Sequence, residues 1–299
     1  MFNLIGLGEI LWDLLPSGRQ LGGAPANFAY HAKALGANGT IISRVGSDQN
    51  GADILKRLRQ LGLSTDLLQI DPDVPTGTVS VELEDDGQPR YIIHENVAWD
   101  RLAAKKETLR AAANADAICF GTLAQRSEQS RTSIHEILAQ TKPNALRILD
   151  VNLRQRFYSG ELIERSLRAA NTLKINDAEL PVLAELLRLT GDVRSELAEL
   201  ADRYSLQLVA LTRGAHGSLL LANGRWSEHP GVPANVADTI GAGDSFTAAM
   251  ALGYLVGWDL DKINDHANRV AAFVASQSGA TPGLPAELRQ QFTPSTANL

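Results

Sequence analysis

The run Asp238-Thr-Ile-Gly-Ala-Gly-Asp-Ser-Phe246 sets a carboxylate directly after two glycines. The stretch Asp244–Val256 is rich in alanine and leucine. Gly241, Ala242, Gly243 and Asp244 therefore fall at the start of a buried helix. Free backbone N–H groups point outward at such an end, and the helix dipole adds about half a positive charge. Glycine lets a ligand approach the main chain closely. The product is a hole for an anion, suited to a phosphate. A carboxylate beside it can accept the proton of an attacking hydroxyl. Phosphoryl transfer runs mostly on positioning and electrostatics, so this small set of groups is enough for it. The same residues also read as a tightly packed helix start with Asp244 as its acidic cap. On this segment alone both readings stand.

Other chemistries lack their residues. There is no G-x-x-x-x-G-K-[ST] phosphate loop and no G-x-S-x-G elbow. His94-Glu95 and His135-Glu136 have no second histidine four residues on, so neither is a zinc-protease motif. The six histidines are scattered and read as surface or core residues. Cys119 is the only cysteine and lies between Ile118 and Phe120. It has no disulfide partner and reads as part of a buried strand, and a cytoplasmic location is the expectation that follows.

The elements that would position the helix start are legible from periodicity. Short apolar runs at Phe2–Leu7, Thr40–Val45, Ala117–Phe120, Leu146–Val151, Thr172–Ile175 and Leu208–Thr212 predict strands. Amphipathic stretches separate them at Ala24–Leu35, Ala52–Leu61, Ser127–Gln140, Glu161–Ala170, Glu179–Leu189 and Val193–Tyr204. A last helix is predicted at Lys262–Ser276, and the polar tail Thr293–Leu299 is expected to fray. Strands spaced by helices imply crossovers and a parallel sheet with helices on both faces. Thr76–Glu84 breaks this rhythm. It alternates, Asp85-Asp86-Gly87-Gln88 supplies turn chemistry, and Arg90–His94 resumes. That is a β-hairpin, either a small appendage or two more strands of the main sheet. A second hairpin is predicted from Ser218–Ala222 and Arg225–His229 around Asn223-Gly224.

Size and charge bound the class. The chain has 299 residues, 44% of them hydrophobic, which allows a sizeable core in one large or two modest domains. A net charge of −6 argues against a general nucleic-acid binder, which needs a basic stripe to meet phosphates. No apolar run approaches the roughly 20 residues of a membrane span. The opening Met1-Phe-Asn-Leu-Ile-Gly-Leu-Gly8 lacks a basic leader and reads as a first strand, not a signal peptide.

Asp238–Phe246 resembles the C-terminal signature of the ribokinase-like, PfkB-type carbohydrate kinases. Gly22-Gly-Ala-Pro-Ala-Asn27 resembles the N-terminal signature of the same family, and the likeness runs from Gly6-Leu-Gly-Glu-Ile to Gly279-Ala-Thr-Pro282. The resemblance implies a three-layer α/β fold: a mostly parallel central sheet with helices on both faces, plus a small β-sheet lid. It implies one kinase domain over residues 1–299, with the lid formed mainly by about 10–22 and 74–100.

The resemblance also assigns roles. Asp244 would be the catalytic base, with Gly241, Ala242 and Gly243 as the anion hole for the γ-phosphate. Asp13, Gly22, Gly23 and Asn27 would hold the sugar, whose hydroxyls need both acceptors and donors. Asp150-Val-Asn-Leu-Arg154 resembles a strand-end segment of fructokinase-like members, with Arg154 reaching the sugar or a phosphate; a surface salt bridge is the plainer reading. Asn176 and Glu179 match a segment linked to Mg²⁺ and phosphate, with Glu179 acting through water. They equally make a helix-capping pair. Thr212, Arg213, Gly214 and Gly217 would line ATP, unless they form only a glycine-rich turn, and Asn268 would border adenine. Asp238 and Gly279 correspond to a monovalent-cation region, where K⁺ binds in several members; Asp238 also reads as a turn organiser. ATP, Mg²⁺ and K⁺ are thus the implied cofactors, and the lid face is a candidate homodimer surface. The implied activity is sugar phosphorylation, with D-fructose the first acceptor because Gly8-Glu-Ile-Leu-Trp-Asp13 and the Asp150–Arg154 run look fructokinase-like. Tyr91–Asp100 departs from the lid of familiar fructokinases, which leaves other ketoses, ribose, a keto-deoxy sugar acid or a nucleoside open. A non-catalytic sugar or nucleotide sensor on the same fold is the alternative from another class.

Overall fold

A computed structural model describes residues 1–15, 18–83, 89–289 and 292 of the chain. The turn expected at Asp85–Gln88 and the tail from Thr293 lie outside the described residues, as does the side chain of Arg90.

In chain order the first half contains β1 (Asn3–Leu7), β2 (Leu11–Leu15), β3 (Gly18–Gly22), α1 (Ala24–Ala34), β4 (Asn38–Gly46) and α2 (Gln49–Gln60). Then come β5 (Leu68–Asp71), β6 (Gly77–Leu83), β7 (Pro89–Ile93), α3 (Lys106–Ala113), β8 (Ala117–Phe120) and α4 (Glu128–Ala139). The second half holds β9 (Leu146–Asp150), α5 (Gly160–Ala169), β10 (Thr172–Asn176), α6 (Glu179–Leu187), α7 (Val193–Tyr204) and β11 (Leu208–Thr212). It ends with β12 (Ser218–Ala222), β13 (Arg225–His229), α8 (Ala242–Val256), α9 (Leu260–Ala275) and α10 (Ala286–Arg289).

Nine strands form one sheet in the order β13-β12-β11-β10-β9-β8-β1-β4-β5. All pairings are parallel except those of β12, which runs against both neighbours. A parallel sheet is covered on both faces, so its strands read as near-continuous apolar runs. Period-two alternation then sorts the side chains. Leu4, Cys119, Ile148 and Ala210 point to one face and pack with Phe28 of α1, Phe246 and Met250 of α8, and Val270 of α9. Ile5, Ile118, Phe120, Leu149, Leu173 and Val209 point to the other, against Ile134, Ile163, Leu183 and Leu197 from α4 to α7. Cys119 is buried and free, as its apolar neighbours predict.

The hairpin that breaks the rhythm does not join the main sheet. β6 and β7 belong to a separate four-stranded sheet in the order β3-β2-β6-β7. Its centre is a parallel pair, β2 with β6. Trp12 of β2 is anchored to the main body by its indole N–H, which donates to the Asn50 carbonyl at 3.0 Å. The small sheet leaves the C-terminal end of β1 and returns between β5 and β8. It therefore stands beside the carboxyl ends of the parallel strands, where open α/β sheets bind ligands. No helix among the described residues is long and apolar enough to cross a membrane.

Candidate active site

The start of α8, with Gly241, Ala242, Gly243 and Asp244, lies at that end of the sheet. Gly241 precedes α8 with a left-handed φ of 79°. A Cβ at this position would stand 2.6 Å from the Ala280 carbonyl oxygen, so both conformation and space demand glycine. Among the described residues no side chain caps this end of α8, and its dipole is left facing outward. Asp244 stands in the first turn, and Asn27 of α1 donates its Nδ2–H to Asp244 Oδ2 at 2.8 Å. The two signature segments therefore meet through one hydrogen bond. Burial pushes the Asp244 carboxyl up to about 6, and the Asp150 carboxylate adds to this; Asn27, Lys174 and Arg154 oppose it.

α1 holds the far side of the same centre. Its His31 Nε2 meets the Ala280 carbonyl at 2.9 Å, and Tyr30 Oη donates to the Pro282 carbonyl at 3.0 Å. The loop behind Gly241 is thus fixed by the helix that carries Asn27. Gly22 and Gly23 lead into α1 from β3. Asp13 lies on β2, which pairs antiparallel with β3. A Cβ on Gly22 would collide with Asp13 Oδ2. Burial raises the Asp13 carboxyl to about 6 against the pull of Arg154. Arg154 itself is exposed, yet its charge acts on Asp13, Glu9 and Asp244 together. Gly22→Ala should displace the Asp13 carboxylate. Where Asp13 holds the sugar, as the resemblance implies, the expected result is a rise of about tenfold or more in the KM for sugar, the loss of one charged hydrogen bond. The Kd for ATP should stay at the wild-type value, and steady-state kinetics with nucleotide titration checks both.

Asn176 and Glu179 form a reciprocal pair. Asn176 Oδ1 accepts from the Glu179 N–H at 2.8 Å, and Glu179 Oε2 accepts from the Asn176 N–H at 2.9 Å. Glu179 Oε1 accepts from the Leu153 N–H at 3.0 Å, which ties this turn to the segment carrying Arg154. Thr212 ends β11, and Gly214 and Gly217 follow it with left-handed backbone. The Arg213 guanidinium is turned to the β12–β13 hairpin: it pairs with Glu228 at 2.9 Å and reaches the carbonyls of Ser218 and His229. Asn268 is buried, donating to Ser218 Oγ at 2.6 Å and to Asn264. Asp238 bridges two loops, accepting from the Ile240 N–H at 3.0 Å and from the Gly279 N–H at 3.2 Å. The turn-organising reading of Asp238 is therefore realised, and it brings Asp238 and Gly279 together.

Three charged residues beside the site carry no role in the sequence analysis, although Glu9 and Asp150 stand inside segments that carry the resemblance. Glu9, just after β1, is buried, and burial raises it to about 7. Lys174 and Asp150 face each other in register on β10 and β9, with Lys174 Nζ 3.0 Å from Asp150 Oδ1. A lysine inside the apolar run Thr172–Ile175 was the available signal, since a buried cation needs a partner.

Residues 18–287 match the profile described as pfkB family carbohydrate kinase. The chain belongs to the pfkB family. Within it, the fructokinase of Escherichia coli is 28% identical over 296 residues, covering 93% of this chain and 95% of its own. An uncharacterized sugar kinase from Pyrococcus horikoshii is 27% identical and superposes with a TM-score of 0.79 over 93% of each chain. The fructokinase of Vibrio cholerae O395, solved with fructose, ADP and calcium, shares the fold with a TM-score of 0.81 at 24% identity, over 96% of this chain and 98% of that one. A pfkB-family fold accounts for the large, mostly parallel sheet with helices on both faces and for the separate small sheet. The chain is a carbohydrate kinase of this family.

Proposed function

We propose that this kinase transfers the γ-phosphate of ATP to a hydroxyl of D-fructose, giving fructose 6-phosphate. The observation that carries the reading is the Asn27–Asp244 hydrogen bond, which joins the candidate sugar loop to the candidate anion hole. Asp244 takes the proton of the attacking hydroxyl as its oxygen bonds to the γ-phosphorus and the bond to ADP breaks. The open N-terminus of α8, at Gly241, Ala242 and Gly243, receives the charge on the transferring group. Asp13, Gly22, Gly23, Asn27 and Arg154 hold the sugar.

Thr212, Gly214 and Gly217 line the nucleotide at the end of β11, with Arg213, Asn268 and Asn176 around it. Both Glu179 oxygens already accept main-chain N–H groups, which fits contact with Mg²⁺ through water better than direct ligation. Mg²⁺ would arrive with ATP and neutralise phosphate charge. K⁺ would be held at the Asp238–Gly279 junction, where both Asp238 oxygens, like those of Glu179, already accept main-chain N–H groups. The small sheet acts as a lid that excludes water from the reacting phosphate. A homodimer through it would bury Leu14 or Tyr91, both exposed and, by their pairing with Ser80 and Val81, on opposite faces of the sheet.

Fructose is favoured by the likeness to fructokinases along nearly the whole chain. ADP release measured with ATP, Mg²⁺ and a panel of ketoses, ribose, sugar acids and nucleosides tests the assignment. D-Fructose should give the highest kcat/KM, with the phosphate on its 6-hydroxyl by NMR. A tenfold preference for another acceptor would reassign the substrate. Binding of ligands without any ADP release would make the chain a sensor.

A further inference from the structure

Beneath the first turn of α8 lies a buried ion pair that no step above uses. Lys174 Nζ is 3.0 Å from Asp150 Oδ1, and both side chains are nearly inaccessible. Thr247 of α8 donates to the Gly243 carbonyl at 2.9 Å, and its hydroxyl oxygen lies 3.3 Å from Asp150 Oδ2. A Cβ on Gly243 would be 3.1 Å from Lys174 Nζ, so the ammonium rests against the main chain of the helix start. This is a costly place for a cation, because the helix end beside it is already positive. A buried ion pair seldom repays its desolvation against apolar residues of the same size. Core packing therefore does not explain the pair, and its position next to Asp244 does. Burial works against the Lys174 ammonium, yet the carboxylates of Asp150 and Glu179 outweigh it and hold it charged.

We propose that the Lys174–Asp150 pair acts on the reaction through Asp244, Asp150 making it a stronger base and Lys174 keeping it charged at neutral pH. This rests on the reading of Asp244 as the base. A general base works best when its proton affinity lies near the operating pH, and one charge of each sign sets that affinity from two sides. The other groups around Asp244 are Asn27 from α1, Glu9 after β1, Cys119 on β8 and Arg154 after β9. Arg154 acts in the same sense as Lys174, while Glu9, raised to about 7, is still protonated where Asp244 titrates. Lys174 and Asp150 are thus positioning residues, and Thr247 links them to the helix.

The test is the titration of the Asp244 carboxyl, followed by carbon-13 NMR in the full chain without ligands. Asp150→Asn removes the like charge and leaves Lys174, with Glu179 as its remaining partner. Its Asp244 midpoint should fall by about one pH unit. Adding Lys174→Met to that variant should move the midpoint part of the way back up, since Lys174 acts on Asp244 less strongly than Asp150 does. The acid limb of kcat should follow both moves. An unchanged midpoint in folded Asp150→Asn, or one that rises, overturns the proposal, and so does a double variant that titrates like Asp150→Asn. If Asp150→Asn does not fold alone, the double variant against wild type decides. Its midpoint must fall, because Asp150 acts on Asp244 more strongly than Lys174 does. Failure of the wild-type chain to phosphorylate any sugar would sink the proposed function while leaving these midpoints as they are.

Discussion

Asp244→Asn should cut kcat for sugar phosphorylation by about 10²–10⁴-fold, the usual worth of a general base. That corresponds to roughly 3–5 kcal/mol of transition-state stabilisation. The amide oxygen can still accept from Asn27, so the contact between α1 and α8 survives the substitution. The Kd for ATP and the KM for sugar should therefore stay close to wild type, and the loss should fall on kcat. The wild-type pH profile should show the same group. Burial, with help from Asp150, raises Asp244 to about 6. It must be unprotonated to accept a proton, so kcat should decline below about pH 6. The Asn variant should lack that limb. A coupled ADP assay and calorimetric titration of nucleotide measure these quantities. An Asn variant that keeps more than about a tenth of wild-type kcat, less than the typical effect of a base, would remove Asp244 from this role.

The parts of the molecule that local pattern can encode are those the sequence shows. Leu208–Thr212, Ser218–Ala222 and Arg225–His229 occupy the predicted residues, because a twice-buried strand and a tight hairpin each carry a local signature. β2 and β3 carry no such signature. Their strand character comes from β2 pairing with β6, far along the chain, and alternation in Leu11–Leu15 is too weak to announce it. α3 is short, and its alanines leave little apolar period to read. The site divides the same way. Asp244 and Asn27 stand in recognisable segments, but the bond between them joins residues 217 apart in sequence. Arg213 is a natural phosphate partner by type, yet only the fold shows that Glu228 lies beside it. Asp150 and Lys174 look like ordinary strand residues until β9 and β10 lie in register.

Glu9→Gln should change the pH dependence of stability more than any other single substitution near the site. Burial raises the Glu9 carboxyl from 4.5 to about 7, outweighing its main-chain hydrogen bond and the Arg154 charge, and Asp244 pushes it further. Its Oε2 has no hydrogen-bond partner among the described residues. The folded chain thus holds this proton more tightly than the unfolded chain. Its contribution is complete below pH 4.5, declines as pH rises, and is lost once pH passes about 7. At about 1.4 kcal/mol per pH unit, this raised carboxyl accounts for on the order of 3 kcal/mol. Asp13 and Asp244, each raised to about 6, act in the same direction. Burial holds His31 and His135 down to about 4, so both act oppositely, losing stability as pH falls below 6.5. Total stability therefore mixes both signs, and the difference between Glu9→Gln and wild type isolates Glu9. That difference should shift in favour of the variant by about 3 kcal/mol between pH 4.5 and 8, and then level off. Urea unfolding of the ligand-free proteins at intervals across this range measures it. A difference that stays flat with pH would mean that Glu9 is charged in the folded chain at neutral pH, paired more closely with Arg154 than the geometry of the site indicates.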